Sequence, residues 1–286
     1  MISERTMDQE EINKIVAEMV QKRALEAEKK KQEEPPPPAS PINNEIYNQY
    51  GDRWYTAQND PIALLRAESR LRNPWVVEQI RKKFPERKAE DIHVLDIGCG
   101  GGFLTNHLAK EGYIAFGIDA ARDALECADR HDETQSIKYI VGDAYNLPFS
   151  DACFEVVCAM DFLEHVEDPD RIVEEAARVL APGGIFLYYT FNRNLLANLI
   201  VIKGVEWFVK NTPKDMHVLK FFLKPEEVTT LCEKYGLKLE GMRGMHPKFF
   251  SKPFWNMLKT GTVSDDFEFE FTESTTISFL GCASKP

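Results

Sequence analysis

Residues 94–119 read VLDIGCGGGFLTNHLAKEGYIAFGID, with four glycines in five positions between an apolar run and a helical pattern, and acids at Asp96 and Asp119. A loop this poor in side chains lets another group approach the backbone closely. Its place between a strand and a helix constrains the fold further, because the pattern repeats. IHVLDIG, YIAFGID, IKYIVGD, FEVVCAMD and GIFLYYTF read as strands, and TNHLAKEG, ARDALECADR and DPDRIVEEAARVL as the helices between them. Strand–helix–strand succession implies right-handed crossovers and an α/β fold, a mostly parallel central sheet with helices on both faces. Such sheets bind ligands at the carboxyl ends of their strands, which here carry Gly98, Asp119, Asp143 and Asp161.

The glycine loop is not a dinucleotide fingerprint. GxGxxG requires glycine at position 103 so that backbone N–H groups can cradle a pyrophosphate, and this chain has Phe103. A net charge of −11 argues against nucleic acid as the main partner. No stretch approaches 18 uninterrupted apolar residues, and MISERTMDQEEINK lacks the basic start and apolar centre of a signal peptide, so a cytoplasmic location is expected. The six cysteines are scattered without CxxC, which speaks against a disulfide framework or a zinc site. Residues 8–34 are rich in Glu and Lys, with Ile12, Ile15, Val16, Met19 and Val20 at helical spacing, and PPPP at 35–38 ends any helix. Residues 1–42 are therefore expected to be a charged helical or solvated extension with a Pro-rich linker. A docking helix for a protein partner is the second reading. Residues 43–286 form the folded domain.

DIGCGGG followed by an acid at the end of the next strand resembles the class I S-adenosylmethionine-dependent methyltransferases, over roughly residues 91–190. The resemblance implies a Rossmann-like fold and a cofactor site. Asp96, Gly98 and Gly100 would border the methionine-derived tail and ribose, Asp119 would accept the ribose hydroxyls, Asp143 in VGDAYNLPF would hold the adenine amino group, and Met160 would border the cofactor. MDFLEHVEDP puts Asp161, Glu164 and His165 at i, i+3 and i+4, so one helical turn would present two carboxylates and an imidazole on one face. That set can hold a divalent ion; a helix-start acid with a surface histidine is the plainer alternative.

TFNRN at 190–194, the apolar run LLANLIVIKGVEWFV and TPKDMHVLKFFLKPEEV follow in the order found in the ubiquinone-biosynthesis O-methyltransferases, and the chain is similar to that family over about residues 45–247. The family pattern Glu-x-x-Glu-His falls on Asp161, Glu164 and His165; Asn-Arg-Asn on Asn192, Arg193 and Asn194; and Pro-Lys-x-x-His…Lys-Pro on Pro213, Lys214, His217, Lys224 and Pro225. The chain departs at Asp161, where the family usually has Glu. It departs again at RLRNPWVV, where Arg70 and Arg72 precede Asn73-Pro74 and the family's arginine follows that pair; Arg72 is taken as the cofactor-site arginine.

The resemblance implies O-methylation of a phenol or catechol hydroxyl on a polyprenylated ubiquinone precursor. A free phenol titrates near ~10 and is mostly protonated at neutral pH, so its proton must be removed or weakened. A divalent ion, magnesium by expectation, on Asp161, Glu164 and His165 could acidify it, with His165 or His217 completing proton removal and Glu164 counted with them. A class I enzyme acting on another small phenolic or carboxylate metabolite is the alternative, and a scaffold that only binds S-adenosylmethionine is a further one. Within an insert at about 192–224, residues 195–210 are apolar yet interrupted by Lys203, Glu206 and Lys210. They are too short to span a bilayer and suit either lipid-tail binding and peripheral membrane contact or a plain lid. The acidic net charge opposes attraction to anionic lipids.

Overall fold

The computed structural model describes residues 44–213 and 216–286. The N-terminal extension and Lys214 lie outside the described residues. The five strands expected from the apolar runs form: β1 (His93–Ile97), β2 (Ile114–Asp119), β3 (Lys138–Val141), β4 (Phe154–Met160) and β5 (Leu180–Phe191). They pair in parallel in the order β3-β2-β1-β4-β5. Both faces of this sheet are covered, which is why its strands read as continuous apolar runs. One core gathers Val94, Val156, Cys158 and Leu187 under α1 (Ile62–Lys83) and α2 (Phe103–Lys110). The opposite core gathers Leu95, Ile97, Val157 and Phe186 with Ile172 and Val173 of α4 (Pro169–Val179). Helix α3 (Arg122–Arg130) follows β2 and buries Ala124, Leu125, Cys127 and Ala128.

Beyond β5 the chain builds what strand–helix alternation did not anticipate. After the insert comes α5 (Pro225–Lys234), then β6 (Lys238–Pro247), α6 (Lys252–Thr260), β7 (Phe269–Thr272) and β8 (Ser278–Ser284). Strand β8 enters antiparallel between β5 and β6, and β7 pairs antiparallel with the outer edge of β6. The insert is helical: Leu195–Ala197 is α, Asn198–Gly204 is wound as a π-helix, and Val205–Phe208 is α again. Asn194 opens it, its side chain accepting from the N–H of Ala197 at 2.9 Å. The far end packs Val209 with Met257, Val263 and Phe267, so insert and α6 share a small core. Six cysteines are free and five are buried.

Candidate active site

A cavity of about 1040 Å³ opens at the carboxyl ends of β1, β2 and β4. Its lining includes Arg72, Asp96, Gly98, Gly100, Asp119, Asp143, Met160, Asp161, His165 and His217. The structure thus brings together every expected site residue except Glu164.

The glycine loop turns through left-handed backbone at Gly98 (φ 70°), Gly100 (φ 51°) and Gly102 (φ 80°), conformations that cost little only for glycine. Gly98 and Cys99 donate N–H bonds to the Ile118 carbonyl at 2.8 and 3.2 Å. The Asp119 carboxylate accepts from Gly100 N–H at 2.9 Å and Ala121 N–H at 2.8 Å, one bond per oxygen. Each oxygen can still accept a second bond from the cavity side. Asp143 accepts from the N–H of Tyr145 at 3.0 Å.

The glycines have a further task. A Cβ on Gly98 would fall 2.0 Å from the Phe162 ring, and one on Gly101 2.6 Å from the Trp54 indole. The bare loop is therefore a seat for two aromatic rings. Trp54 comes from a single α-turn, Arg53–Thr56, preceded by a 3₁₀ segment, Asn44–Gln49. This N-terminal segment lies over the cleft: Tyr55 Oη donates to the Gly101 carbonyl at 2.8 Å, and Asn44 donates to the His165 carbonyl at 2.8 Å. Sequence reasoning missed Trp54, Tyr47 and Phe162. The aromatic density of EIYNQYGDRWYT, at the start of the folded domain, was the available signal.

Asp96 is buried, accepts from Thr105 Oγ1 at 2.7 Å, and burial pushes its carboxyl up to about 7. A carboxyl with a raised folded-state pKa supports stability below its unfolded pKa and loses that support as pH rises through the folded value. For Asp96 the window runs from about 4 to about 7. Asp96→Asn should keep the acceptor for Thr105 and remove the buried charge. Urea denaturation of the ligand-free protein should therefore find the variant gaining on the parent between pH 4 and 7, by at most about 4 kcal/mol. A pH-independent difference would assign the effect to packing.

At the centre of the cavity Arg72 of α1 is buried, pairs with Asp161 and lies 4.9 Å over the Tyr189 ring, with its Nε unpartnered. One turn earlier, Glu68 also lines the cavity, and its carboxyl accepts from Tyr189 Oη at 3.3 Å. Burial, reinforced by the charge of Asp161 and opposed by Arg72, holds Glu68 well above the usual carboxylate range. Sequence reasoning missed it, although the i, i+4 spacing to Arg72 was legible.

The expected single helical face at 161–165 does not form. Asp161 takes left-handed backbone (φ 51°) and only Leu163–His165 make one 3₁₀ turn. Asp161 and His165 face the cavity, whereas Glu164 turns beneath the loop and accepts from Thr190 Oγ1 at 2.7 Å. Burial, with the charge of Asp161 adding to it, pushes Glu164 up to about 8. Among the described residues, the group that brings one ligand atom each within 4.8 Å of the others is Asp52, Cys127 and His131, where Asp52 is ion-paired to Arg130 at 2.8 Å. The donors at 161–165 nevertheless suit a divalent ion in their chemistry. Asp161 Oδ1, Glu164 Oε1 and His165 Nδ1 are each buried without a hydrogen-bond partner, and buried lone pairs of this kind call for a cation or water.

His165 Nε2 lies 3.4 Å from Tyr47 Oη, and its ring centroid is 5.1 Å from that of His217. Burial holds His165 well below its ordinary range, with the charge of His217 adding to it, and lowers His217 to about 4. Both imidazoles are neutral at neutral pH. His217 sits among Phe191 and Phe222, and from there the cavity runs on between the insert and the β6–β7 segment past Leu199, Val205, Phe208, Phe249, Phe254 and Met257. One end is charged and the other apolar.

Comparison with known proteins is consistent with this geometry. A methyltransferase domain family matches residues 95–188. Ubiquinone biosynthesis O-methyltransferase of Coxiella burnetii is 33% identical over 211 residues, covering 72% of this chain and 84% of that protein. The Haemophilus ducreyi protein of the same name is 34% identical over 190 residues, 63% and 80% of the two chains. Among solved structures, magnesium protoporphyrin IX methyltransferase from Synechocystis PCC 6803 with bound SAH superposes with a TM-score of 0.55 at 15% identity, over 85% of this chain and 95% of that one, a likeness of fold.

Proposed function

Since the chain belongs to the ubiquinone biosynthesis O-methyltransferase family, we propose that it transfers the methyl group of S-adenosylmethionine to a ring hydroxyl of a polyprenylated phenol or catechol on the route to ubiquinone, assisted by a divalent ion. That it is an S-adenosylmethionine-dependent methyltransferase follows from the domain match and the relatives. The finer reading rests on one observation: a single cavity joins the charged cluster at Arg72, Asp161 and His165 to a long apolar arm. At about 1040 Å³ it stands at the upper limit of the ~300–1,000 Å³ typical of ligand pockets. A small phenolic or carboxylate metabolite would leave the arm empty; a prenyl tail fills it.

When bound, the cofactor supplies the electrophilic methyl group and the divalent ion, magnesium by its oxygen-rich ligand set, lowers the pKa of the hydroxyl it holds. Asp119 takes the ribose hydroxyls on its free lone pairs. Arg72, which lines the cavity and has an unpartnered Nε, suits the cofactor's carboxylate. Asp161, Glu164 and His165 hold the ion through their three orphaned atoms, which requires Asp161 to release Arg72 and Glu164 to turn in from Thr190. Glu68, whose charge already interacts with Arg72, then keeps the guanidinium company. With a pKa of about 4, His217 is unprotonated at neutral pH and so free to accept, yet too weak a base for an ordinary phenol. It suits a hydroxyl that has already been acidified.

The test is methyl transfer from labelled S-adenosylmethionine to demethylubiquinol analogues of increasing tail length. Each isoprene unit seated in the arm should raise kcat/KM at least about tenfold, a fraction of the ~0.8 kcal/mol available per buried CH₂, with kcat nearly constant. Equal kcat/KM for prenylated and tail-less catechols would overturn the substrate assignment.

A further inference from the structure

Asp52, Cys127 and His131, which lie outside the cavity lining, bring a carboxylate oxygen, a sulfur and an imidazole nitrogen within 4.8 Å of one another. Cys127 and His131 stand at i and i+4 where α3 ends, so their side chains share one face. His131 Nδ1 lies 3.8 Å from Cys127 Sγ. Two ligands on a tetrahedral zinc ion, with bonds of about 2.3 Å to sulfur and 2.0–2.1 Å to nitrogen, stand roughly 3.5 Å apart. The pair therefore has to close by only a few tenths of an ångström. Asp52 arrives from the residue before the Arg53–Thr56 turn and supplies the third ligand, which leaves a fourth position for water. Chain spacing concealed the group, because the cysteines lack CxxC and the carboxylate is remote in sequence.

The imidazole is already oriented. The Tyr55 ring stacks on it, with 3.7 Å between centroids and 2° between planes, and Tyr55 Oη is itself tied to the Gly101 carbonyl at 2.8 Å. The partners that the three groups now have are replaceable. Arg130 donates to Asp52 at 2.8 Å, but the two side chains are 53% and 70% exposed, and an exposed pair of this kind stabilises little. His131 Nδ1 lies 2.9 Å from the Cys127 carbonyl, which also accepts from the His131 backbone N–H at 3.3 Å and so keeps a partner when the imidazole turns to an ion. Cys127 is a free, buried thiol, and burial raises its pKa. An ion binding there displaces the thiol proton to solvent, while His131 binds through Nδ1 and carries its own proton on Nε2.

We propose that Asp52, Cys127 and His131 form a site for zinc or another borderline-soft divalent ion, which pins the Arg53–Thr56 turn to α3. Its sulfur ligand sets it apart from the oxygen-rich cluster at 161–165, which suits a harder ion. The same turn places Trp54 against Gly101 and ties Tyr55 to the Gly101 carbonyl. An ion at this site therefore stiffens one wall of the glycine loop without entering the cavity. The assignment depends neither on the identity of the substrate nor on a metal at 161–165.

Cobalt(II) titrated into the metal-free full chain tests it, because charge transfer from thiolate to cobalt absorbs in the near ultraviolet and reports a sulfur ligand directly. One equivalent should raise this band, and excess zinc should remove it. Cys127→Ser should abolish the band, whereas Asp161→Ala should keep it. Asp52→Asn, at an exposed position, should weaken zinc at least roughly tenfold, since even an outer partner of a metal ligand is worth about 10- to 100-fold, with unchanged melting of the metal-free protein. Zinc should also slow amide hydrogen exchange over residues 52–57 in the parent but not in Cys127→Ser. Absence of the sulfur band, a band that Cys127→Ser retains, or zinc affinity indifferent to Asp52→Asn overturns the site. Zinc that binds without slowing exchange over 52–57 overturns the pinning of the turn.

Discussion

Exhaustive removal of divalent ions is expected to lower methyl transfer to a catechol by at least about a hundredfold, the scale on which losing proton-transfer assistance is felt, and added magnesium to restore it. The expectation comes from the three orphaned atoms at Asp161, Glu164 and His165. Unpaired carboxylate oxygens are costly to bury, and among the described residues Arg72 pairs with Asp161 but not with Glu164. Asp161→Ala should abolish the response to magnesium and the binding of Mn²⁺ followed by its electron spin resonance. Glu164→Gln should shift the metal requirement upward, because Glu164 has to turn from Thr190 to reach the ion. Full turnover after chelation, with no Mn²⁺ bound, would leave these carboxylates as structural partners of Arg72 and Thr190.

Asp119→Ala should weaken S-adenosylmethionine by about 1.5 to 3 kcal/mol, roughly 10- to 150-fold in Kd, through loss of charge-assisted bonds to the ribose. The side chain also anchors Gly100 and Ala121, so part of the loss would come from a loosened loop. Asp119→Asn separates the two contributions. It keeps an acceptor for Ala121 N–H and places an amide against Gly100 N–H, so calorimetry beside a thermal melt apportions the effect. Unchanged affinity in Asp119→Ala would remove the ribose assignment.

The parallel half of the sheet was legible because buried parallel strands must be largely apolar, as β1, β2, β4 and the later part of β5 are. Their carboxyl ends followed, which is how Asp119 and Asp143 could be placed at one edge of the sheet, and the family resemblance added Met160. The direction of Glu164 was not legible, for a reason of similar clarity. Its direction depends on the φ of Asp161, which is set by the exit from β4 and by the pull of Arg72, and no spacing rule carries that information. The antiparallel edge, β6 to β8 with α6, was hidden because the half-exposed β6 and β7 and a nine-residue helix leave short and conflicting periodicities. Trp54 and Tyr47 were hidden because a 3₁₀ segment and a single turn have almost no periodicity to read.

The segment carrying Trp54 and Tyr55 has a kinetic consequence. It touches both halves of the site at once, the glycine loop through Trp54 and Tyr55 and the 161–165 loop through Asn44 and Tyr47. With the cofactor seated on the glycine loop as proposed, release of the spent donor is expected to need these contacts to yield. Substitutions that loosen these contacts are expected to relieve inhibition by the demethylated product before they alter the methyl-transfer step, as product-inhibition kinetics beside single-turnover rates would show.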